Sequence, residues 1–113
     1  MKKYYDWSFY KNEKLIETYK NIEKDSNEFV VNDNLKLVKD NNKLMLIKIT
    51  DEYNITIDFI TKICSIKLPN EDLLTEINLL ELEIVDKEDK LTIIYMLDNE
   101  EKNKIVIDLK EWL

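Results

Sequence analysis

Glu81 and Glu83 stand two residues apart in the alternating stretch Leu80-Glu81-Leu82-Glu83-Ile84. On a strand, that spacing puts both carboxylates on one face. Two carboxylates on a shared face are the minimum equipment for glycoside hydrolysis, or for holding a hard divalent cation through oxygen. A glycosidase also needs a cleft with aromatic platforms, whereas the neighbours of this pair on its own face are Leu79 and Val85. Two further acidic groups, Asp86-Glu88-Asp89 and Asp98-Glu100-Glu101, resemble loose calcium loops. Neither has EF-hand spacing or its glycine, and hairpin-turn chemistry accounts for both. These residues therefore assign no catalytic group, metal ligand or cofactor, and a carboxylate-dependent enzyme is the weakest functional reading.

The 113 residues contain no glycine, histidine or arginine. Without glycine there is no bare backbone loop to cradle a phosphate, which excludes P-loop and dinucleotide fingerprints. Lack of histidine removes the commonest general base and metal ligand, and leaves every serine and threonine without an activating imidazole. Lack of arginine removes the planar fork that grips phosphate or guanine. Cys64 alternates with apolar neighbours and reads as a small packed hydrophobe rather than a reactive thiol. Nucleophilic catalysis is thus not expected.

Charge is unevenly spread. Residues 1–66 hold 11 lysines and 11 acids, while residues 67–113 hold 6 lysines and 13 acids, and so the whole net charge of −7. An acidic half repels nucleic acid and anionic lipid and attracts a basic protein surface. Trp7, Phe9, Tyr4, Tyr5 and Tyr10 do lie near Lys2 and Lys3, a mixture that can bind single strands. In an acidic chain these aromatics read instead as core and rim, so neither nucleic acid nor membrane is an expected partner. One cysteine forms no internal disulfide, and neither an apolar leader segment nor a membrane-length run is present, which points to the cytoplasm. The abundance of Lys, Asn and Ile resembles the output of an AT-rich bacterial genome.

The dominant pattern has period two, the mark of half-buried strands. Tyr53, Ile55, Ile57 and Phe59 make one such face, and Cys64, Ile66 and Leu68 another. Leu80-Leu82-Ile84, Leu91-Ile93-Tyr95-Leu97 and Ile105-Ile107-Leu109 follow, preceded by Leu35-Leu37 and the run from Leu44 to Ile49. Polar clusters separate the runs, and one or more of Asn41, Asn42, Asn99 and Asn103 is expected to supply, in a hairpin turn, the positive φ that glycine supplies elsewhere. Pro69 marks a corner, since proline has no N–H for a central ladder. Asn70 could cap a short helix around 70–76.

The N-terminus reads two ways. Leu15, Ile16, Tyr19 and Ile22 fit a helical stripe, giving an α+β fold with a helix at 12–24 on an antiparallel sheet. Tyr5, Trp7 and Phe9 alternate cleanly, however, and Lys11-Asn12-Glu13-Lys14 works as a hairpin turn into a second strand. The hairpin is preferred, and with it a single all-β domain over residues 1–113.

The stretch CSIKLPNEDLLTEINLLELEIVDKEDKLTIIYMLDNEEKNKIVIDL, from Cys64 to Leu109, with YNITIDF before it, resembles the C-terminal meander of small lipocalin-like (calycin) β-barrels from low-GC bacteria. In that family a strand ends in a proline corner followed by three long strands; the family's glycine after the proline is Asn70 here. The resemblance implies an antiparallel meander closing into a small barrel. It implies no settled activity and carries over no catalytic residue.

If the apolar faces of the last three strands point inward, then Leu79, Val85, Ile94, Met96 and Val106 point outward, rimmed by Glu81, Glu83, Asp108 and Lys110. A contiguous apolar patch on neighbouring strands marks either an interface or a face covered by another segment, for which Trp112-Leu113 is the candidate. The candidate binding residues are therefore Glu81, Glu83, Ile94, Met96, Val106 and Asp108. The expected role is non-catalytic binding. A lipocalin-like barrel would hold a small apolar ligand among Trp7, Tyr19, Ile57 and Tyr95, whereas an acidic inhibitor of the immunity or anti-defence type would dock its patch on a basic enzyme surface.

Overall fold

The computed structural model describes residues 2–24, 27–69 and 74–112, and over them the chain is all-β, with eleven strands in two antiparallel sheets. The first sheet has the order β2-β1-β11-β10-β9. It comprises β1 (Lys2–Lys11), β2 (Lys14–Glu23), β9 (Glu81–Asp86), β10 (Lys90–Met96) and β11 (Asn103–Trp112). The second is a plain meander of β3 (Glu28–Asn32), β4 (Leu35–Asp40), β5 (Lys43–Ile49), β6 (Asn54–Asp58), β7 (Ile63–Lys67) and β8 (Leu74–Asn78). Two compact units follow these sheets, one made of Met1–Lys24 with Leu80–Leu113 and the other of Asp25–Leu79. Neither sheet closes into a barrel among the described residues: β2 and β9 end the first, β3 and β8 the second.

Residues 14–23 form a strand, which corrects the alternative of a helix at 12–24. The would-be helical stripe has nothing to bury, because Leu15 and Ile16 are both half exposed. What the segment offers instead is a hairpin. Asn12 and Glu13 both take left-handed φ, 48° and 69°, in the two-residue connection between Lys11 and its partner Lys14. Two positive φ values match the primed turn whose twist suits paired strands. The turn is tied down by Lys102: the Asn12 N–H donates to its carbonyl, and its N–H donates to Asn12 Oδ1, each at 2.9 Å.

The expected turn asparagines are another correction. Positive φ falls at Asn12, Glu13, Asn21 and Lys62, and not at Asn41, Asn42, Asn99 or Asn103. Carboxylates solve the turn problem instead. Asp40 Oδ1 accepts the Asn41 N–H at 2.7 Å, and Asp98 Oδ1 accepts the N–H groups of Glu100 and Glu101 at 2.8 and 2.9 Å. Such side-chain-to-backbone turns need no left-handed residue. Asn103 is no turn residue at all, since it lies in β11, is buried, and donates through Nδ2 to the Tyr95 carbonyl at 3.4 Å.

Strands β3 and β8 went unread in the sequence, and they are the two edges of the second sheet. Leu74–Asn78 is strand where a short helix around 70–76 was suggested; residues 70–73 lie outside the described residues. Each sheet has one buried face. In the first it carries Tyr5, Trp7, Leu91, Ile93, Tyr95, Ile105 and Ile107; in the second, Phe29, Leu37, Leu44, Leu46, Ile57 and Cys64. Among the residues expected inward, Leu68 and Leu80 are 42% and 54% exposed, because both lie beyond the paired part of their strands.

Burial predicts a stability order. Ile57→Ala and Ile107→Ala each remove a fully packed aliphatic and should cost about 2–5 kcal/mol. Thr56→Ala and Asp108→Ala, on the opposite faces, should stay within about 0.5 kcal/mol. Urea midpoints of the four variants check the order, and a reversal would mean that the faces are exchanged.

Candidate functional site

Register in the first sheet decides which candidate residues meet. Met96 lies opposite Glu81, and Ile94 lies opposite Glu83 on one side and Lys104 on the other. Val106 lies opposite Thr92, and Asp108 opposite Lys90. Directly opposed residues share a face, as do residues two apart on one strand. Glu81, Glu83, Ile94, Met96, Val106 and Asp108 therefore all project from the same side of the sheet, away from Trp7, Ile93 and Ile107. The structure puts all six on one face, with Glu81, Glu83, Ile94 and Met96 adjacent at one end and Asp108, opposite Lys90, at the other.

They are not equally accessible. Glu81 and Glu83 are exposed on the edge strand, while Ile94, Met96 and Asp108 are half-buried. Val106, expected to be an exposed patch residue, is only 8% exposed. It sits on β11, the middle strand of five, with Thr92 opposite on one side and Ser8 on the other, and with Lys104 and Asp108 two residues away along the strand. Leu79, also expected on this face, is buried, belongs to the second unit and donates its N–H to the Lys62 carbonyl at 2.9 Å. Val85 does remain on the open face, 38% exposed. The proposed covering role of Trp112-Leu113 rests on side chains outside the described residues.

The register also adds members that the sequence pattern missed. Lys104 reaches over the Tyr10 ring, 4.5 Å from its centroid, in a cation–π contact that caps the row Glu83–Ile94–Lys104–Tyr10. Ser8 and Thr18 hydroxyls meet at 3.3 Å on the next row. A shallow open depression of about 320 Å³ lies along the β9 side, lined by Glu81, Leu82, Glu83, Ile94 and Lys102. It places Glu81 and Glu83 on an open edge rather than in a cleft. Among the described residues, no group of three or more histidines, cysteines or acids could hold a metal ion.

Asp6, on this face, is held by two partners. Its Oδ2 pairs with Lys110 Nζ at 2.6 Å, and its Oδ1 accepts the Asn21 N–H at 2.9 Å. Asn21 takes φ 56° where the β1–β2 register slips between Tyr5 and Trp7, so two residues of β2 oppose Asp6 alone. The carboxylate thus satisfies a bulge on β2 and anchors a lysine on β11, the strand on its other side. Asp108 lies directly opposite Asp6, a like-charge pair offset by Lys110 and by Lys90 across the next ladder. The Lys110 hydrogen bond, then the Asn21 bond, hold the Asp6 carboxyl below its ordinary value near 3.8. Alternation around Tyr5 and Trp7 located this position, but nothing local to Asp6 points to Lys110, 104 residues later.

Other sequence candidates are buried or divided between the two sheets. Trp7 and Tyr5 are sunk in the sheet's closed face, and burial pushes the Tyr5 phenol up to about 12. Trp7 does face Tyr19 across the β1–β2 ladder, and Tyr95 lies on the same closed face, whereas Ile57 belongs to the second sheet. Cys64 is fully buried, and burial raises its thiol pKa, which keeps it protonated and unreactive at neutral pH. Among the described residues, no helix is long and apolar enough to cross a membrane. Comparison with known proteins finds no family model, curated protein or solved structure that matches the chain.

Asp6 yields a pH prediction. Its folded pKa is lowered, so its stabilisation is fully present above the ordinary value near 3.8 and is lost as pH falls through the depressed value. Against wild type, Asp6→Asn should lose about 1 kcal/mol at pH 6, within the range of part-exposed ion pairs. Urea midpoints measured from pH 7 down to pH 2 should converge at the acid end. A difference that stays constant with pH would show that the charge contributes nothing.

Proposed function

We propose that this chain is a non-catalytic binding module whose open five-stranded face engages a basic protein surface, in the manner of an acidic inhibitor. One observation carries the reading: register places Glu81, Glu83, Ile94, Met96 and Asp108 on a single open face, over three adjacent strands. Half-buried Ile94 and Met96 supply apolar contact, with exposed Val85 beside them, and the carboxylates rim it. Apolar contact gives such a surface its affinity, and the charges steer a partner of opposite sign. Val106, on the same face but nearly covered, offers little surface to a partner. A cytoplasmic setting agrees with a lone, buried, unpaired cysteine.

A second reading, a lipocalin-like binder of a small apolar ligand, draws on strand order. Pairing of β11 with β1 joins the end of the meander to its beginning, as an up-and-down barrel does. The hydrogen-bonded ladder is interrupted at β2/β3 and at β8/β9, so the open face remains the better-supported site.

Met96→Asp tests the first reading. Position 96 is half-buried on the open face, so the thermal midpoint should fall by only a few degrees, roughly as for a change of about 1 kcal/mol. An interface formed there would bury an unpaired charge. Pull-downs from native lysate should therefore lose the proteins that wild type captures, and wild-type capture should weaken as salt rises. Identical captures by both proteins would overturn the reading.

A further inference from the structure

We propose that β9 is a docking edge, at which an extended lysine- or arginine-bearing segment adds as a sixth strand to the five-stranded sheet. The inference rests on the binding reading above and names the form that its partner takes. An edge strand presents a row of backbone N–H and C=O groups ready to pair with another chain, and proteins blunt such edges with bulges and short lengths. The first sheet treats its two edges differently. Along β2 the register slips twice, between Tyr5 and Trp7 and between Phe9 and Tyr10. Along β9 it runs without a break from Glu81 to Asp86. In the second sheet, β3 is five residues long and has its own slip, and β8 is also five residues long with a single carboxylate, Glu76.

Exposure and charge both single out β9. Every residue from Glu81 to Asp86 is exposed except half-buried Leu82. Ile84 and Val85 are each 38% exposed and, as consecutive strand residues, point to opposite faces. An added strand would cover apolar surface on both sides of the sheet. Glu81, Glu83 and Asp86 are the only charged residues in the strand, and all are acidic. Two such edges pairing with each other would set carboxylate beside carboxylate, which disfavours a second copy as the occupant. A strand with basic residues at alternate positions reverses the pairs made by Glu81 and Glu83, which share one face. Its cations would lie beside Glu81 and Glu83, and its intervening apolar residues beside Leu82 and Ile84. Strand addition of this kind takes affinity from main-chain hydrogen bonds and selectivity from alternate side chains.

A fluorescein-labelled octapeptide of alternating Lys and Val, blocked at both ends, serves as the probe with the full chain. Its control has the same sequence with two consecutive central amides N-methylated, which removes a donor from each edge but keeps every charge. Anisotropy titration should give saturable binding that is weakened about tenfold or more by N-methylation and by Glu83→Lys. Amide hydrogen exchange should slow along Glu81–Asp86 when the unmethylated peptide is bound. Equal binding of both peptides, with unchanged exchange on β9 and loss on Met96→Asp, would overturn strand addition and leave the face reading standing. No saturable binding up to about 1 mM would also overturn strand addition. The face reading is decided separately, by whether lysate capture survives Met96→Asp.

Discussion

The pairing of the first strand with the last is the constraint on which the first sheet depends. Its register runs unbroken from Lys2 opposite Trp112 to Lys11 opposite Asn103. That ladder makes β11 the central strand, and β11 in turn carries β10 and, through it, β9. Closing about 100 residues of chain costs entropy that only a long, well-packed ladder recovers. Buried Tyr5, Trp7, Ile105 and Ile107 along the two strands supply it. The second sheet has no such demand, because each of its strands pairs with its sequence neighbour.

A chain without glycine must still turn, and it does so by two routes. Among the described residues, four accept left-handed φ, at a cost of roughly 1–2 kcal/mol each for ordinary side chains. At three of them the structure shows an offsetting bond: Asn12 is bonded to Lys102, Asn21 to Asp6, and the Lys62 N–H donates to the Asp58 carbonyl at 2.8 Å. Elsewhere, short carboxylates accept turn N–H groups. Asp98 does this twice, and those two bonds hold its carboxyl below the ordinary value. Part of the chain's acidity is therefore local architecture. Turn carboxylates such as Asp40, Asp58 and Asp98 bond to their own backbone, whereas Glu81 and Glu83 stand on an exposed edge.

That division bears on function. Net charge alone makes any part of the acidic half equally suited to a basic partner. The fold concentrates the usable carboxylates along β9, beside Ile94 and Met96, while Asp6 and Asp108 at the other end of the face are engaged by lysines or set against each other. Opposite charges and apolar contact thus coincide at one margin of the sheet. Bulges keep the other margin, β2, irregular.

Period-two alternation, read from residue types alone, determined that this is a β protein and which face of most strands is buried, from Trp7 through Ile57 to Ile107. It also placed Glu81, Glu83, Ile94, Met96, Val106 and Asp108 on one side, because alternation fixes parity wherever a strand exists. It missed β3, where Phe29, Val30 and Val31 run together without alternating, and β8, whose residues are mostly exposed and show little contrast between faces. Tertiary structure alone decided the rest. Pairing order put Val106 in mid-sheet, flanked on both sides and buried, and put β9 at an edge, where Ile84 stays exposed despite its apolar side chain. Lys110 met Asp6, and Asn12 met Lys102, only once β1 had found β11. Burial and partnership depend on which strand lies alongside, and strand adjacency is a long-range property that no local spacing encodes.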